Sequence, residues 1–499
     1  MMCANLKKGL FVCCLVALVL EASLSAAADP IREGMQSYNR HHYEDASTTL
    51  LAHMRLAEPS QQGKLYLGLG MTFLACAQVY QELHRTALSV QVDYLSKLLA
   101  SDKEDGSHYA KLYLGRSLLD TGKTAEAAVS LRTCIEDKKI EPRDRSLAKI
   151  ALARAYYLQG KNKNADELWS SVDTTDPEVM SELAAAYSRL GLAERKPLAM
   201  GEQIRQVMKQ IQQGLSIRLA NNLITVYARE GQIDKGLRLI KSTDLSGFFH
   251  EETIGKNKIV RFYDPSLLDN LAVLYGRASL EYLEKATTDE KIKGVAQYYL
   301  AEAEARFGHI DQSIKILDDA LASGLLPSPY REKAELFHGV ALFWQSGGRQ
   351  SQMHLEDSTG QQQEPHLLAD TLLACNRLNL ECSEIARKAT TLVEVIDGKK
   401  LETLHYALGR YYLRTHEYEQ AIACMETVRD KSNKNKIEYN DPLMLINLAE
   451  AYYRSKRFSE ALEIYFGMRN QFPAVRQIQV SMQGVYAMEQ KSAGDAKLF

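Results

Sequence analysis

Two stretches of the chain, far apart in sequence, share one spacing of small and aromatic residues. Residues 152–169 read LARAYYLQGKNKNADELW, and residues 448–465 read LAEAYYRSKRFSEALEIY. In the first copy Ala153 and Tyr156 are three residues apart and so share a helical face, and Gly160 then suits a left-handed turn. Ala165 and Trp169 form a second small-and-large pair, four residues apart. The spacing predicts two short helices that fold back on each other.

The same spacing recurs along most of the chain. The small and turn positions of the further copies are occupied by Gly34, Gly115, Gly122, Ala184, Gly191, Ile224, Gly231, Gly236, Ala301, Gly308, Gly409 and Ala421, of which Ile224 alone is large. In the last copy Lys456 stands where Gly160 stands in the earlier one. Proline is scarce, at 11 residues, and helix-favouring residues dominate most segments. We therefore expect an all-α fold made of repeated helical hairpins.

This pattern resembles the tetratricopeptide repeat family, whose unit of about 34 residues carries small, aromatic and proline residues at fixed positions. The last unit keeps Leu448, Ala449, Tyr452, Phe458, Ala461, Tyr465 and Pro473, and the unit at Leu152 ends at Pro177. The resemblance implies a right-handed superhelical solenoid of about 10–12 hairpins. Its weakest matches centre on Gly70, Ala272 and Gly339.

Residues 1–28 have the three parts of a secretory signal peptide. Lys7 and Lys8 precede the apolar stretch GLFVCCLVALVL, and Ala26-Ala27-Ala28 supplies small residues before Asp29. The apolar part is shorter than the roughly 20 residues of a membrane-spanning helix. We expect an exported protein with no integral membrane domain after signal removal, periplasmic or outer-membrane associated if the source is a Gram-negative bacterium.

Three interruptions divide the predicted array. We predict an N-terminal array over 29–245, an insertion at 246–265, a central array over 266–348, a flexible linker at 349–364 and a C-terminal array over 365–499. The insertion has apolar runs around a Gly-Lys-Asn turn, which suits a small β-hairpin or an irregular loop. Residues 192–214 predict a long helix without the expected small position.

The cysteines give no zinc or haem motif. On one unbroken helix Cys375 and Cys382 would be about 10 Å apart in rise, too far for a disulfide, whereas a turn near Asn379 would let them pair. Both arrangements stay open. Cys76, Cys134 and Cys424 lie among apolar helical residues, so buried structural thiols are expected.

Arginines recur on one strip of the first helices, off the predicted packing face. The ninth repeat position holds Arg116, Arg154 and Arg410; the thirteenth holds Arg189, Arg229, Arg306, Arg414 and Arg454; Tyr157 and Tyr453 come one residue before it. Because arginine grips carboxylates with two hydrogen bonds, the strip predicts a basic groove for acidic or extended segments of a protein partner. The alternative for the thirteenth position is helix capping, since cations favour the last turn of any helix.

No cofactor, metal or catalytic site is predicted, because the sequence has no HExxH, GxSxG or P-loop motif. A formal net charge of -2 argues against nucleic-acid binding. We expect a non-enzymatic scaffold or adaptor of the cell envelope, and the family resemblance implies a role in assembly or export of envelope components. The alternatives are a small-molecule or glycan receptor that uses the same groove, and an enzyme with a site around the 246–265 insertion.

Overall fold

The computed structural model describes residues 30–54, 57–101, 108–192, 194, 217–243, 250–254, 258–262, 264, 266–328, 330–345, 365–378, 382–395, 401–429 and 440–496. The first part of the chain forms helices α1 (Pro30–Asn39), α2 (Tyr43–His53), α3 (Pro59–Ser101), α4 (His108–Asp120), α5 (Thr124–Glu136), α6 (Pro142–Leu158), α7 (Asn162–Ser170), α8 (Pro177–Arg189), α9 (Ile217–Arg229) and α10 (Ile233–Ser242). Two strands follow, β1 (His250–Ile254) and β2 (Lys258–Phe262).

The remainder of the described chain is again helical. It forms α11 (Ser266–Ala286), α12 (Lys293–Arg306), α13 (Ile310–Ser323), α14 (Tyr330–Gln345), α15 (Pro365–Leu378), α16 (Ser383–Val395), α17 (Glu402–Arg414), α18 (Tyr418–Val428), α19 (Pro442–Arg454), α20 (Phe458–Met468) and α21 (Arg476–Ala496). Consecutive helices pack as antiparallel hairpins, and the first helices of neighbouring hairpins also touch. The predicted all-α solenoid of helical hairpins is confirmed.

The turns inside the hairpins share one left-handed residue. Gly160 has a φ of 76°, and the amide of Lys161 donates to the carbonyl of Tyr156 at 2.9 Å, which ends α6. Lys456 adopts a φ of 61° at the equivalent place, although a side chain makes that conformation costly. The other residues with this turn conformation are His41, Gly122, Gly191, Gly231, Gly308 and His416. The break predicted from the repeated spacing is confirmed.

Within a hairpin, a small residue of the first helix receives a large residue of the second. A Cβ added to Gly115 would lie 2.5 Å from Leu131 Cγ, and one added to Gly409 would lie 2.7 Å from Met425 Cγ. Both pairs are separated by the same distance in sequence, as are Ala153 and Trp169. The two helices therefore approach closely at one fixed level, and this sets the packing of each repeat.

Helix α3 breaks the repeat pattern. It runs unbroken for 43 residues, so the predicted repeat at Gly70 is wrong. Gly70 serves another contact, because a Cβ there would lie 2.5 Å from Leu283 Cγ of α11. The two helices run antiparallel, since Phe73 stacks on Tyr282 and Tyr80 stacks on Tyr275 at centroid distances of 5.7 and 5.6 Å.

The aromatic contacts of α3 form a ladder with a period of seven residues. Tyr66, Phe73 and Tyr80 alternate with Tyr282 and Tyr275 of α11 along one side of the helix pair. Each such contact contributes about 0.5–1.5 kcal/mol beyond its buried area. The ladder fixes α3 as a long internal helix on which other elements pack.

The C-terminal helices return to α3. Both α19 and α21 pack on it, and α21 reaches it where Gly484 lies against the ring of Tyr94. Phe472 meets Tyr80 edge to face, with ring centroids 5.8 Å apart. The array is therefore closed onto its own N-terminal part.

The insertion and the cysteine pair are both settled in the described residues. Strands β1 and β2 pair antiparallel, with His250 opposite Phe262, so the β-hairpin alternative is confirmed, and β2 contacts α4 and α21.

Cys375 and Cys382 form a disulfide between the end of α15 and the start of α16. Of the other thiols, Cys76 and Cys134 are buried as expected, whereas Cys424 is half-buried.

Some predictions fall outside the described residues. These are the signal peptide at 1–28, the linker at 349–364 and nearly all of the predicted long helix at 192–214. Eight complete hairpins lie within the described part, so the total of about 10–12 stays a prediction. Among the described helices, none combines the length and the apolar character needed to cross a membrane.

Candidate functional site

The predicted arginine strip lies on the first helices, as expected. Each arginine at the thirteenth position is the last residue of its helix: Arg189 ends α8, Arg229 ends α9, Arg306 ends α12, Arg414 ends α17 and Arg454 ends α19. That place favours a cation beside the exposed carbonyls, as the capping alternative requires. Capping alone does not describe these side chains, however, because most of them also bond to a neighbouring first helix.

The inter-repeat bonds form a regular series. Arg154 of α6 donates to Asp120 of α4 at 2.8 Å, and Arg229 of α9 donates to Asp269 of α11 at 3.0 Å. Arg414 of α17 donates to the carbonyl of Cys375 in α15 at 3.2 Å. These arginines therefore tie consecutive repeats together along the inner wall.

Arg116 corrects the prediction of an exposed strip. Its side chain is only 6% exposed and bonds to two buried carboxylates, Glu182 at 2.7 Å and Asp264 at 2.5 Å. Burial acts to raise the pKa of Asp264, but Arg116 and Arg189 outweigh it and lower that pKa below its ordinary value. Arg116 is thus a structural residue of the core.

The two tyrosines of the strip differ in exposure. Tyr157 is half-buried and lies 5.9 Å, between ring centroids, from Trp169. Tyr453 is 6% exposed and donates its hydroxyl hydrogen to Asp93 of α3, so the expectation of an accessible stacking surface is wrong for this residue. Tyr453 helps to hold α19 on α3.

A central cavity of about 890 Å³ lies beside α3. Its lining residues are Gln78, Gln81, Glu82, His84, Arg85, Leu88, Ser89 and Val92 of α3; Asp120, Thr121 and Lys123 at the α4–α5 turn; Glu302, Ala305 and Arg306 of α12; Phe337 and Trp344 of α14; Arg410 of α17; and Leu443 of α19. The first helices of the N-terminal, central and C-terminal arrays therefore meet at one internal space. Its lining combines apolar walls with charged groups of both signs.

The charged wall of the central cavity centres on Glu82. Its carboxylate accepts from Arg85 at 2.9 Å and lies 3.8 Å from the guanidinium of Arg410. Burial favours a raised pKa for Glu82, but Arg85 and Arg410 outweigh it and lower the pKa. Arg306, another strip residue, bonds to Glu302 at 3.0 Å in the same wall. Two residues of the predicted strip, Arg306 and Arg410, therefore line the same cavity, and both lie beside α3.

A polar stripe on α3 joins this wall to the C-terminal array. It consists of Arg85, Ser89, Asp93 and Lys97, spaced by four residues, and these contact Glu450, Arg454, Tyr453 and Glu489 in that order. The strip residue Arg454 donates to Ser89 at 2.8 Å. Sequence reasoning did not single out this stripe, although a four-residue polar period within an apolar helix was a readable signal for a second packing partner.

The chemistry of the described site is that of binding. No group of three or more His, Cys, Asp or Glu side chains among the described residues is arranged to hold a metal ion. His84 lines the central cavity with its Nε2 buried and without a hydrogen bond to the part of the chain that the structure describes. The site offers hydrogen-bond donors, ion pairs and apolar surface to a ligand.

Stacked hairpins around an internal groove define a helical-repeat solenoid. Residues 406–466 match the family model of the tetratricopeptide repeat. The matched residues cover most of helices α17 to α20, and the other described hairpins have the same geometry, so the chain resembles the tetratricopeptide-repeat family.

Three solved structures show weak likeness to the chain. Yeast Tom70 has a TM-score of 0.32 and 12% identity, covering 94% of this chain and 96% of that chain. The Cut9-Hcn1 hetero-tetramer of APC/C has a TM-score of 0.27 and 13% identity, covering 93% and 98%. The P58(IPK) TPR domain has a TM-score of 0.21 and 14% identity, covering 77% and 99%. The search of curated proteins found no match.

Proposed function

We propose that the protein is an exported, non-enzymatic scaffold that binds a segment of a partner protein in the central cavity. The observation that carries this proposal is the position of the cavity, where α3 and first helices from all three parts of the array meet. Helical repeats present their first helices to ligands on the inner wall. A segment bound there would contact residues from distant repeats at once.

The cavity limits the length of the bound segment. Since α3 already fills much of the interior, the remaining volume of about 890 Å³ holds about two turns of a helix 10 Å across. A short helix or a short extended peptide suits this space. The mixed lining suits a segment that carries both apolar and charged side chains.

Export is supported by two features. The N-terminal 28 residues follow the signal-peptide pattern, and the disulfide between Cys375 and Cys382 is of a kind that persists in oxidising compartments. We therefore propose that the scaffold acts in the cell envelope, in the periplasm or at the outer membrane if the source is a Gram-negative bacterium. We propose that it serves there in the assembly or export of envelope components.

A small-molecule or glycan receptor is the second candidate. The volume of the central cavity lies within the roughly 300–1,000 Å³ typical of small-ligand sites, and Trp344 adds an aromatic wall. The protein scaffold and the small-ligand receptor would both use the central cavity, so one pair of variants tests both functions.

The test fills the central cavity with a large side chain. Gln81 is exposed and lines the cavity, so Gln81→Trp blocks it with little effect on folding, and Gln312→Trp on the exposed side of α13 is the matched control. The exported protein is captured by affinity tag after cross-linking, and bound proteins and small molecules are identified by mass spectrometry. We expect a bound protein with wild type and the control but not with Gln81→Trp. Equal capture by both variants would rule out the central cavity as the binding site.

A further inference from the structure

The β-hairpin between α10 and α11 has an open edge. Its strands β1 and β2 form a two-stranded antiparallel sheet in the described chain, with residue pairs from His250 and Phe262 to Ile254 and Lys258. β2 is the strand that packs on α4 and α21, so β1 lies farther from these helices. Each strand of an antiparallel pair turns only every second residue's N–H and C=O groups toward its partner. The other backbone groups of β1 face outward, where no strand of the described chain pairs with them.

The base of the hairpin is fixed by a buried ion pair. Asp264, which follows β2 closely in sequence, is 3% exposed and accepts from Arg116 of α4 at 2.5 Å. Its other carboxylate oxygen accepts from the amide of Ser266, the first residue of α11, at 3.0 Å. Because an isolated two-stranded hairpin is at best marginally stable in water, these contacts and the packing of β2 stabilise it. They hold the outer edge of β1 at a fixed place on the scaffold.

We propose that β1 binds an extended segment of a partner protein, which adds to the hairpin as a third strand. The described lining of the central cavity includes no residue of the hairpin, so this edge is a second binding site, separate from the cavity. In strand addition the backbone hydrogen bonds supply affinity, and the side chains on the two strands supply specificity.

The sequence of β1 selects the charge of the added strand. It reads HEETI, with two adjacent glutamates and no lysine or arginine. Opposite charges on paired strands stabilise a sheet, and like charges destabilise it. The fitting segment is therefore basic, with lysine or arginine alternating with residues that favour strands.

A second copy of this chain fits the same edge poorly. Antiparallel pairing of two β1 strands over their full length places the two copies of Glu252 opposite each other. That pairing brings like charges together, so self-association through β1 is disfavoured. The structural rival is that the glutamates only protect an exposed edge from aggregation. In that case no added strand binds at all.

The experiment measures fluorescence anisotropy of labelled peptides of equal length with the full chain. The first peptide alternates lysine and threonine, and the second alternates glutamate and threonine. The third is the lysine-threonine peptide with every backbone nitrogen methylated. We expect the wild type to bind only the first, because the second has the wrong charge and the third cannot donate backbone hydrogen bonds.

Two double variants test the selection by charge. Glu251→Lys with Glu252→Lys should weaken binding of the lysine-threonine peptide by about tenfold or more and should bind the glutamate-threonine peptide instead. Asp166→Lys with Glu167→Lys changes an adjacent, exposed acidic pair on α7 and is the matched control, which should keep the wild-type preference. Circular dichroism melts of both variants check that they are folded.

Three peptide results would overturn strand addition at β1: no binding of the lysine-threonine peptide by wild type, equal binding of the methylated peptide, or equal losses in both double variants. A wild-type dimer that dissociates in the β1 double variant would assign the edge to a second copy instead. Gln81→Trp should still bind the lysine-threonine peptide, and a loss there would place the peptide in the central cavity. If the peptide fails to bind while Gln81→Trp still abolishes capture of the native partner, the scaffold function stands and only the second site is wrong.

Discussion

Tyr94 and Gly484 are in contact although they belong to an early and a late helix of the chain. The ring of Tyr94 on α3 covers the α-carbon of Gly484 on α21 so closely that no side chain fits between them. Tyr94 is 6% exposed, so its ring has little room to move away. The close packing of α21 on α3 therefore requires a glycine at position 484, because even the methyl group of alanine would clash with Tyr94.

Gly484→Ala tests this closure. The added methyl overpacks the contact with Tyr94, and we expect the free energy of unfolding to fall by about 1–3 kcal/mol. Gly339→Ala in α14 is the control, because no atom lies within 4 Å of a Cβ there, and it should be neutral or stabilising by up to about 1 kcal/mol. Denaturant unfolding followed by circular dichroism measures both. Equal effects of the two substitutions would show that α21 does not pack closely on α3.

Glu44 predicts a specific pH dependence. Its carboxylate accepts from the Tyr80 hydroxyl at 2.5 Å, and burial raises its pKa to about 7. The folded chain therefore holds an extra proton between about pH 4.5 and 7, so the free energy of unfolding falls as pH rises through this window. The total change is up to about 3 kcal/mol.

Glu44→Gln removes that titration while keeping an acceptor for Tyr80. The variant should gain stability over wild type at pH 8 and lose that advantage at pH 5, as measured by chemical denaturation at both values. Because all other groups titrate alike in the two proteins, the difference between their curves reports Glu44. Parallel curves would mean that Glu44 has an ordinary pKa in the folded chain.

Arg116→Met should strongly destabilise the N-terminal array. The substitution leaves the carboxylates of Glu182 and Asp264 buried without their cation. Removing one partner of a buried salt bridge lowers the free energy of unfolding by about 3–5 kcal/mol. The exposed Arg132→Met should change stability by less than about 0.5 kcal/mol. Thermal melts compare the two. A melt of Arg116→Met that matches wild type would restore the prediction of an arginine available to partners.

The disulfide is open to a direct measurement. Mass spectrometry without reduction should find Cys375 and Cys382 linked in protein purified under non-reducing conditions. Cys375→Ser together with Cys382→Ser should lower the free energy of unfolding by about 2–3 kcal/mol, the entropy of a short loop. Cys424→Ser, a half-buried thiol outside the bond, should leave reduction-dependent melting unchanged. Free thiols at both positions under these conditions would exclude the bond.

Local contacts explain what the sequence reveals of this fold. The contact of Gly115 with Leu131 recurs at the same separation between Gly34 and Leu50 and between Gly409 and Met425, so a short window contains both partners. The bonds of Arg116 do not have this property, because Asp264 follows 148 residues later and reaches Arg116 only through the stacking of intervening helices. Exposure of an arginine on an inner wall therefore could not be derived from its repeat position.

The central cavity could not be predicted from the sequence either, because its lining residues are far apart in the chain. Its main wall is α3, where an expected repeat is absent, and its other walls come from helices that α3 brings together. Arg306 and Arg410 could be named from the repeat, but Glu82 and Arg85 could not. Only the four-residue polar period from Arg85 to Lys97 indicated that this face of α3 has a partner.

The polar stripe of α3 also governs the order in which the molecule can be completed. Arg85 precedes Glu450, its partner on α19, by 365 residues, so the stripe gains this partner only after the intervening repeats have been synthesised. An open row of repeats can lose an end unit and keep the rest, because each unit contacts only its neighbours. Here the last helices complete the surroundings of one of the first, so deleting them would uncover the middle of the molecule.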